Sequence, residues 1–375
     1  MLRFLTAGES HGEALVGILE GFPKGVKISA DSINEQLRRR QSGFGRGQRM
    51  RIEKDRVHII SGLRSGVTLG SPIAFMVKNK DKTIDSFSKD LLKRLTVPRP
   101  GHADLAGLLK YKDTDIRNIL ERSSARETAC RVVVGSICSQ LLSCFNIEIR
   151  SHVVSVGSVQ LERRGVSIKE IKEKTKKSLL NCIDRKAERG MIEEIKQARI
   201  SGDTLGGVIE IVSEGVCVGL GSFMHWDKRL DARLSYALMS IPAVKGVEIG
   251  LGFEYARCPG SKSHDSIYYS GKKGFFFKTN NSGGIAGGIS TGQPMIARVA
   301  MKPIATLFNP LDSVDFVSKK FRKAEVIRSD VTAVSACGVV AESMTAFILA
   351  QSFLENFSSD TLSQIKANYK NFLKV

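Results

Sequence analysis

The sequence predicts an α+β fold in layers, and three observations predict it. Helix signals and strand signals both recur along the chain, without the tight strand–helix alternation of a doubly wound parallel sheet. Thirty-five glycines against nine prolines fall in clusters at 43–47, 202–207, 215–221, 246–252 and 283–292, which punctuate the chain with tight turns. The 375 residues, 42% hydrophobic and 25% charged, make one large domain or two with a sizeable core, which excludes small modules, wholesale disorder and multispanning membrane proteins.

The elements follow in order. Ala14 to Leu19 is a strand-like run, and residues 31–40 form a helix with Asp31 as its cap. A second strand covers Val57 to Ile60. Ser124-Ala125-Arg126-Glu127 has the Ser-x-x-Glu spacing of a capping box. The most apolar stretch, Val132 to Ile147, follows it. Ser136, Ser139, Gln140 and Ser143 interrupt that stretch, so it falls short of the roughly 18 apolar residues of a membrane span and reads as a buried helix. A second capping box, Ser167 to Glu170, lies in a charged segment at 162–199 where Lys172, Lys174, Lys176, Lys177, Arg185, Lys186 and Arg189 mix with acids. The segment reads as a pair of solvated helices. Val208 to Val212 and Ile296 to Ala300 are strands, and helices cover about 230–240 and 337–355. Gly-Gly pairs precede both strands (Gly206-Gly207 and Gly287-Gly288), a hint of a duplicated unit.

Fifty-seven Lys and Arg against 38 Asp and Glu leave a net charge of +19, which implies an anionic partner or a basic proteome. The seven cysteines (Cys130, Cys138, Cys144, Cys182, Cys217, Cys258, Cys337) are odd in number and scattered, with no zinc-site spacing. That pattern predicts reduced thiols, no metal and a cytoplasmic chain. Gly8 and Glu9 stand where a secretion signal needs an apolar core.

Several motifs carry chemistry. In Gly8-Glu9-Ser10-His11-Gly12 the glycines set a hydroxyl and an imidazole on a turn, suited to proton exchange near neutral pH or simply to capping the turn. A strand-like run follows it, so it is not a hydrolase nucleophile elbow. From Arg38 to Arg51, six arginines and three glycines make a cationic loop for phosphate or carboxylate. The alternative there is a nucleic-acid surface, although only Phe44 supplies an aromatic ring. Pro98, Pro100 and Gly101 fix a turn that carries His102, with Asp104 nearby. Glu121 to Thr128 places Ser123, Ser124, Arg122 and Arg126 at a helix start, where unpaired N–H groups favour phosphate. Gly283 to Gly292 lets a planar ligand lie against the backbone, with Lys302 and Arg328 as charges and Asp330 as a proton acceptor. Together these read as an enzyme for a phosphorylated, polyanionic small molecule.

In order and spacing, Gly8 to Gly21, Arg38 to Arg46, Arg99 to Asp104, Arg122 to Thr128, Gly246 to Gly250, Gly283 to Gly292 and Arg328 to Asp330 resemble the chorismate synthase family. The resemblance covers the whole chain. It implies a single catalytic domain over residues 1–375, a large β-α-α-β sandwich containing a duplicated unit, and no Rossmann site. It also implies anti 1,4-elimination of phosphate from 5-enolpyruvylshikimate 3-phosphate to give chorismate, with reduced FMN and no net redox change. By motif, His11 donates a proton to the leaving phosphate, His102 governs flavin protonation, Asp330 accepts the proton from flavin N5, and Ser10 and Ser124 support them. FMN is held by Arg122, Ser123, Ser124, Pro242, Ala243, Gly287, Lys302, Pro303, Ile304, Ala305, Thr306 and Arg328. Arg40 and Arg46 match positions of NADP contact, while as cations they are expected, with Arg126, to face the substrate's anionic groups. The implied assembly is a homotetramer. Without an inserted domain or dinucleotide fingerprint, an external flavin reductase supplies the reduced FMN, and NADPH is only an indirect reductant.

Overall fold

The computed structural model describes residues 1–47, 53–84, 94–162, 165–326 and 330–374. The first half carries strands β1 (Arg3–Ala7), β2 (Ala14–Glu20), β3 (Val57–Ile59) and β4 (Ile73–Lys78), and helices α1 (Ala30–Gln41), α2 (Asp104–Tyr111), α3 (Ile116–Ser123) and α4 (Thr128–Ser143). The second half carries β5 (Glu148–Val156), β6 (Val159–Gln160), α5 (Ile168–Thr175), α6 (Arg185–Ser201), β7 (Gly207–Glu214), α7 (Leu230–Met239), β8 (Val244–Ile249), β9 (Met295–Met301), α8 (Val334–Asn356) and α9 (Leu362–Phe372).

Two antiparallel sheets dominate. The first is ordered β1-β2-β4-β3 and the second β8-β9-β7-β5-β6. Alternation sets their faces. Leu15, Leu19, Ile73, Phe75 and Val77 point inward from the first sheet and are buried, whereas Leu5 and Ile18, directly opposite each other, point outward and are exposed. Helices α1 and α4 pack on the inner face of the first sheet, α8 packs on β5 and β7 of the second, and α4 and α8 pack on each other. Burying these faces joins both halves into one hydrophobic cluster that runs from Leu2 to Ile365. Helix α8 is long and apolar enough to cross a membrane, and it is buried at the centre of this cluster.

The expected elements form, with instructive shifts at their ends. Ser29, not Asp31, caps α1 by accepting from Ser32 N at 3.2 Å, while Asp31 lies in the first turn and Arg38, Arg39 and Arg40 complement the dipole in the last. The Ser167–Glu170 cap forms. Only half of the earlier box does. Ser124 accepts from Arg126 N, but the chain enters α4 through a 3-10 turn and the Glu127 carboxylate faces Thr6 and Arg131. The two Gly-Gly passages lead to β7 and β9, antiparallel neighbours in a single sheet, so they do not mark two halves of the chain.

Candidate active site

The turn between β1 and β2 carries the first histidine. Gly8, at φ +102°, starts it, and a Cβ there would lie 2.2 Å from Ala14 O, so no side chain fits. Buried Ser10 donates from its backbone to Glu121 O at 2.9 Å and from Oγ to Ser124 Oγ at 3.2 Å. His11 is gripped twice by one carboxylate: its N–H donates to Glu121 Oε2 and its Nδ1 meets Oε1, each at 2.7 Å. From the other side Asn79, just past β4, donates to Glu9 O at 3.0 Å and to Gly12 O at 2.9 Å.

Asn79 also joins this turn to a buried charge cluster, because its Oδ1 accepts from Arg126 Nε at 2.9 Å. Arg126 and Arg40 share Asp55, at 2.7 Å and 2.8 Å. Burial raises the Asp55 carboxyl, but the two guanidiniums outweigh this and hold it below the usual carboxylate range. Arg46 pairs with Asp330 at 2.7 Å, and Asp330 also accepts from Gly47 N at 2.5 Å. Burial, and after it the like charge of Arg40, lower the Arg46 guanidinium, with Asp330 opposing. Among the described residues, Arg40 Nε, Arg46 Nε and Arg126 NH2 are buried without a hydrogen-bond partner, the last of them 3.9 Å from Glu53 Oε2. Not all of the arginine loop serves this purpose. Arg38 pairs with Glu35 and Arg39 is spent on buried Glu342, while Arg49 and Arg51 lie outside the described residues.

The second histidine is held by similar means. Fully buried Asp104 accepts from Arg99 N at 3.0 Å, from Arg99 Nε at 2.8 Å and from Arg99 NH2 at 3.0 Å, and meets His102 Nδ1 at 2.5 Å. Burial raises Asp104, yet the bonds from His102 and Arg99 outweigh it and hold the carboxyl well below the usual range. Arg99 NH2 also lies 3.0 Å from His102 Nδ1, but an ionised Asp104 has no proton to give, so its shorter contact takes the hydrogen on Nδ1. Arg99 NH1 donates to Thr306 Oγ1 at 2.9 Å, and Lys302 Nζ donates to Gly101 O at 2.8 Å. Burial, and then neighbouring Lys245, lower the Lys302 ammonium.

The sequence model of the family described as chorismate synthase matches residues 2–354. The chain belongs to the chorismate synthase family. It is 51% identical to the chorismate synthase of Alkaliphilus metalliredigens, with all of both chains covered. It is likewise 51% identical to that of Geobacter metallireducens, covering all of this chain and 98% of the relative. A crystal structure of chorismate synthase, 40% identical, matches with a TM-score of 0.81 over 100% of this chain and 97% of the other. None of these relatives supports the nucleic-acid-binding alternative.

Within this member of the chorismate synthase family, most of the expected site residues fall into connected groups. Arg122 reaches Gly8 O and Thr6, beside the His11 turn. Lys302 N donates to Ala243 O, which ties the segment after Pro242 to that of Pro303, and Ile304 O accepts from Thr204 Oγ1. Ala305 lies against Gly101, on the turn of His102. Ser123 is less engaged, since its hydroxyl donates back to Ile119 O in its own helix. Gly287 sits at φ +60° with open space where a Cβ would be, and among the described residues no hydrogen bond links it to the others. Arg328 lies outside the described residues. Sequence reading gave no role to Glu121, Asp55, Asn79 or Arg99. Glu121 and Arg99 stood inside recognised motifs; nothing local marked Asp55 or Asn79.

Proposed function

We propose that the chain catalyses the anti 1,4-elimination of phosphate from 5-enolpyruvylshikimate 3-phosphate to give chorismate, a carbon–oxygen lyase reaction of the shikimate pathway without net redox change. One observation carries this reading: surplus buried guanidinium donors on Arg40, Arg46 and Arg126 lie one side chain, Asn79, away from a histidine on a clamped turn. Such donors suit a substrate with a phosphate and two carboxylates, since buried unpaired N–H groups gain most from an anion. His11 would give the leaving phosphate its proton, with Ser10 and Ser124 steadying its turn.

The residues present fit reduced FMN. Lys302 and Lys245 are close enough for one ammonium to lower the other, a pair that a phosphate would neutralise, and Gly287 leaves open space for a close approach. Arg122, Ser123, Ser124, Pro242, Ala243, Gly287, Lys302 to Thr306 and Arg328 would hold it. Bound, the reduced flavin supplies electron density to the substrate as phosphate departs. His102, with its Nδ1 hydrogen on Asp104, would exchange a proton with the flavin through Nε2, and Asp330, paired with Arg46, would offer a carboxylate. An external flavin reductase supplies the reduced cofactor, and NADPH acts only as its indirect source.

The same reading extends to architecture. The fold is a β-α-α-β sandwich of duplicated units, supported by a shared strand order. Leaving aside the short edge strand β6, each sheet runs first-second-fourth-third, with α1 or α7 after the second strand and α4 or α8 after the fourth. The main hydrophobic cluster, which joins both halves of the chain, supports one catalytic domain over residues 1–375. A homotetramer is supported by the exposed outer face of the first sheet, where Leu5 is 70% and Ile18 42% exposed. Seven free cysteines, five of them buried, suit the cytoplasm.

The test is anaerobic incubation with photoreduced FMN and 5-enolpyruvylshikimate 3-phosphate, following chorismate absorbance and phosphate release with flavin omitted as control. Flavin-dependent formation of both products is expected. A folded, flavin-binding enzyme that forms neither would refute the reaction.

A further inference from the structure

We propose that Glu121 is a positioning residue that sets the tautomer and aim of His11, so that the proton donated to the leaving group departs from Nε2. The inference deepens the proposed function and rests on it for the identity of the reaction. Its basis is the two-point grip of one carboxylate on one residue. Oε2 accepts the His11 backbone N–H and Oε1 meets Nδ1, both at 2.7 Å. The Glu121 side chain is only 11% exposed and that of His11 21%, so water competes weakly. Helix α3 supplies the rigid mount. Glu121 lies in its last turn, and its backbone carbonyl also accepts from Ser10 N at 2.9 Å, so three bonds fasten the turn to the same helix residue.

The surrounding charges leave this carboxylate to His11. Among the described residues, Arg122 is directed to Thr6 and Gly8 O, Arg126 to Asp55 and Asn79, and Lys82 to Glu13. Glu121 has no ion-pair partner among them besides His11. Asp104 differs, since the carboxylate beside His102 is shared with Arg99.

The grip has a chemical consequence. Once Nε2 has given up its proton, the imidazole left behind carries hydrogen on Nδ1, the form that a carboxylate oxygen accepts. Donation therefore ends in a satisfied hydrogen bond. A glutamine at 121 has one acceptor oxygen and one NH2 group. With its oxygen on the backbone N–H, it presents the NH2 to Nδ1 and stabilises the opposite tautomer, with hydrogen on Nε2. Donation from that form leaves no stable neutral ring.

The test is 15N-histidine NMR of the full-length chain above the imidazole titration, with the His11 signals identified by their loss in His11→Ala, combined with steady-state kinetics under reduced flavin. The wild type is expected to carry hydrogen on Nδ1. Glu121→Gln is expected to move it to Nε2 and to lower kcat about 10²-fold, with KM changed less than about threefold. Glu121→Asp keeps a carboxylate, retains the Nδ1 hydrogen and recovers most of kcat. A wild-type His11 with hydrogen on Nε2, an unchanged tautomer in Glu121→Gln, or kcat within about threefold of wild type in that variant would each overturn the assignment. If Glu121→Gln does not fold, the wild-type and Glu121→Asp spectra decide: Nδ1–H in both supports the grip, and Nε2–H in either refutes it. A wild-type chain with Nδ1–H that forms no chorismate refutes the reaction and upholds the grip on His11.

Discussion

Replacing Asp104 by Asn removes one buried charge and nothing else of size. In the native site that carboxylate receives three bonds from Arg99 and one from His102, and it is fully buried, with the Arg99 side chain only 5% exposed. Asn keeps one acceptor oxygen but turns an NH2 group towards donors, leaving the guanidinium buried without a counter-charge. Breaking such a pair costs about 3–5 kcal/mol, and the retained oxygen argues for the lower end, about 3 kcal/mol. The pH dependence has a definite sign. A carboxyl held below its ordinary value contributes its stability above that value, about 3.9, and loses it as the pH falls through the folded value. The wild type therefore forfeits about 1.4 kcal/mol per pH unit below about 3.9, and Asn has nothing to forfeit. Urea unfolding at fixed protein concentration should show the gap between the two proteins narrow by about 1 kcal/mol between pH 7 and pH 3. A gap under about 1 kcal/mol at pH 7, or one that widens on acidification, would refute the reasoning.

Other perturbations test different parts of the molecule. Asn79→Ala leaves Glu9 O, Gly12 O and Arg126 Nε without their partner; a stability loss of about 2 kcal/mol and a turnover loss of about tenfold or more are expected from thermal unfolding and phosphate release. Arg46→Ala removes an anion donor and uncovers Asp330, so calorimetry should find substrate binding weakened about 10- to 100-fold, and unchanged affinity would remove Arg46 from the substrate site. Burial pushes the thiols of Cys130 and Cys337 up to about 12 and that of Cys217 up to about 11. Raised thiols contribute stability below the ordinary value of about 8.5 and lose it above, so each should cost about 1.4 kcal/mol per pH unit in alkaline urea titrations, with a flatter profile in the Cys130→Ala, Cys337→Ala double variant. Gly135→Ala puts a Cβ 2.3 Å from Ser343 Cα, where α4 crosses α8, and the forced separation should lower stability by at least about 1–3 kcal/mol in the same unfolding assay.

The sequence by itself determined the elements whose causes are local. The Ser167 cap, the apolar run that becomes α4, the alternation of β2 and the glycine that starts the His11 turn depend on neighbours a few residues away, and each appears within a few residues of its expected place. The pairing of His102 with Asp104, two positions apart, was similarly within reach. Tertiary structure alone decided which carboxylate holds His11, because Glu121 is 110 residues distant and is brought there by helix α3. It also decided that Asp55 lies between Arg40 and Arg126, and that Arg39 serves Glu342 instead of the site. The physical reason is the range of the forces involved. Caps and periodicity act between neighbours in the chain, whereas the partner of a buried charge is fixed by strand order and helix packing, which bring distant residues together after the chain has paid its conformational entropy.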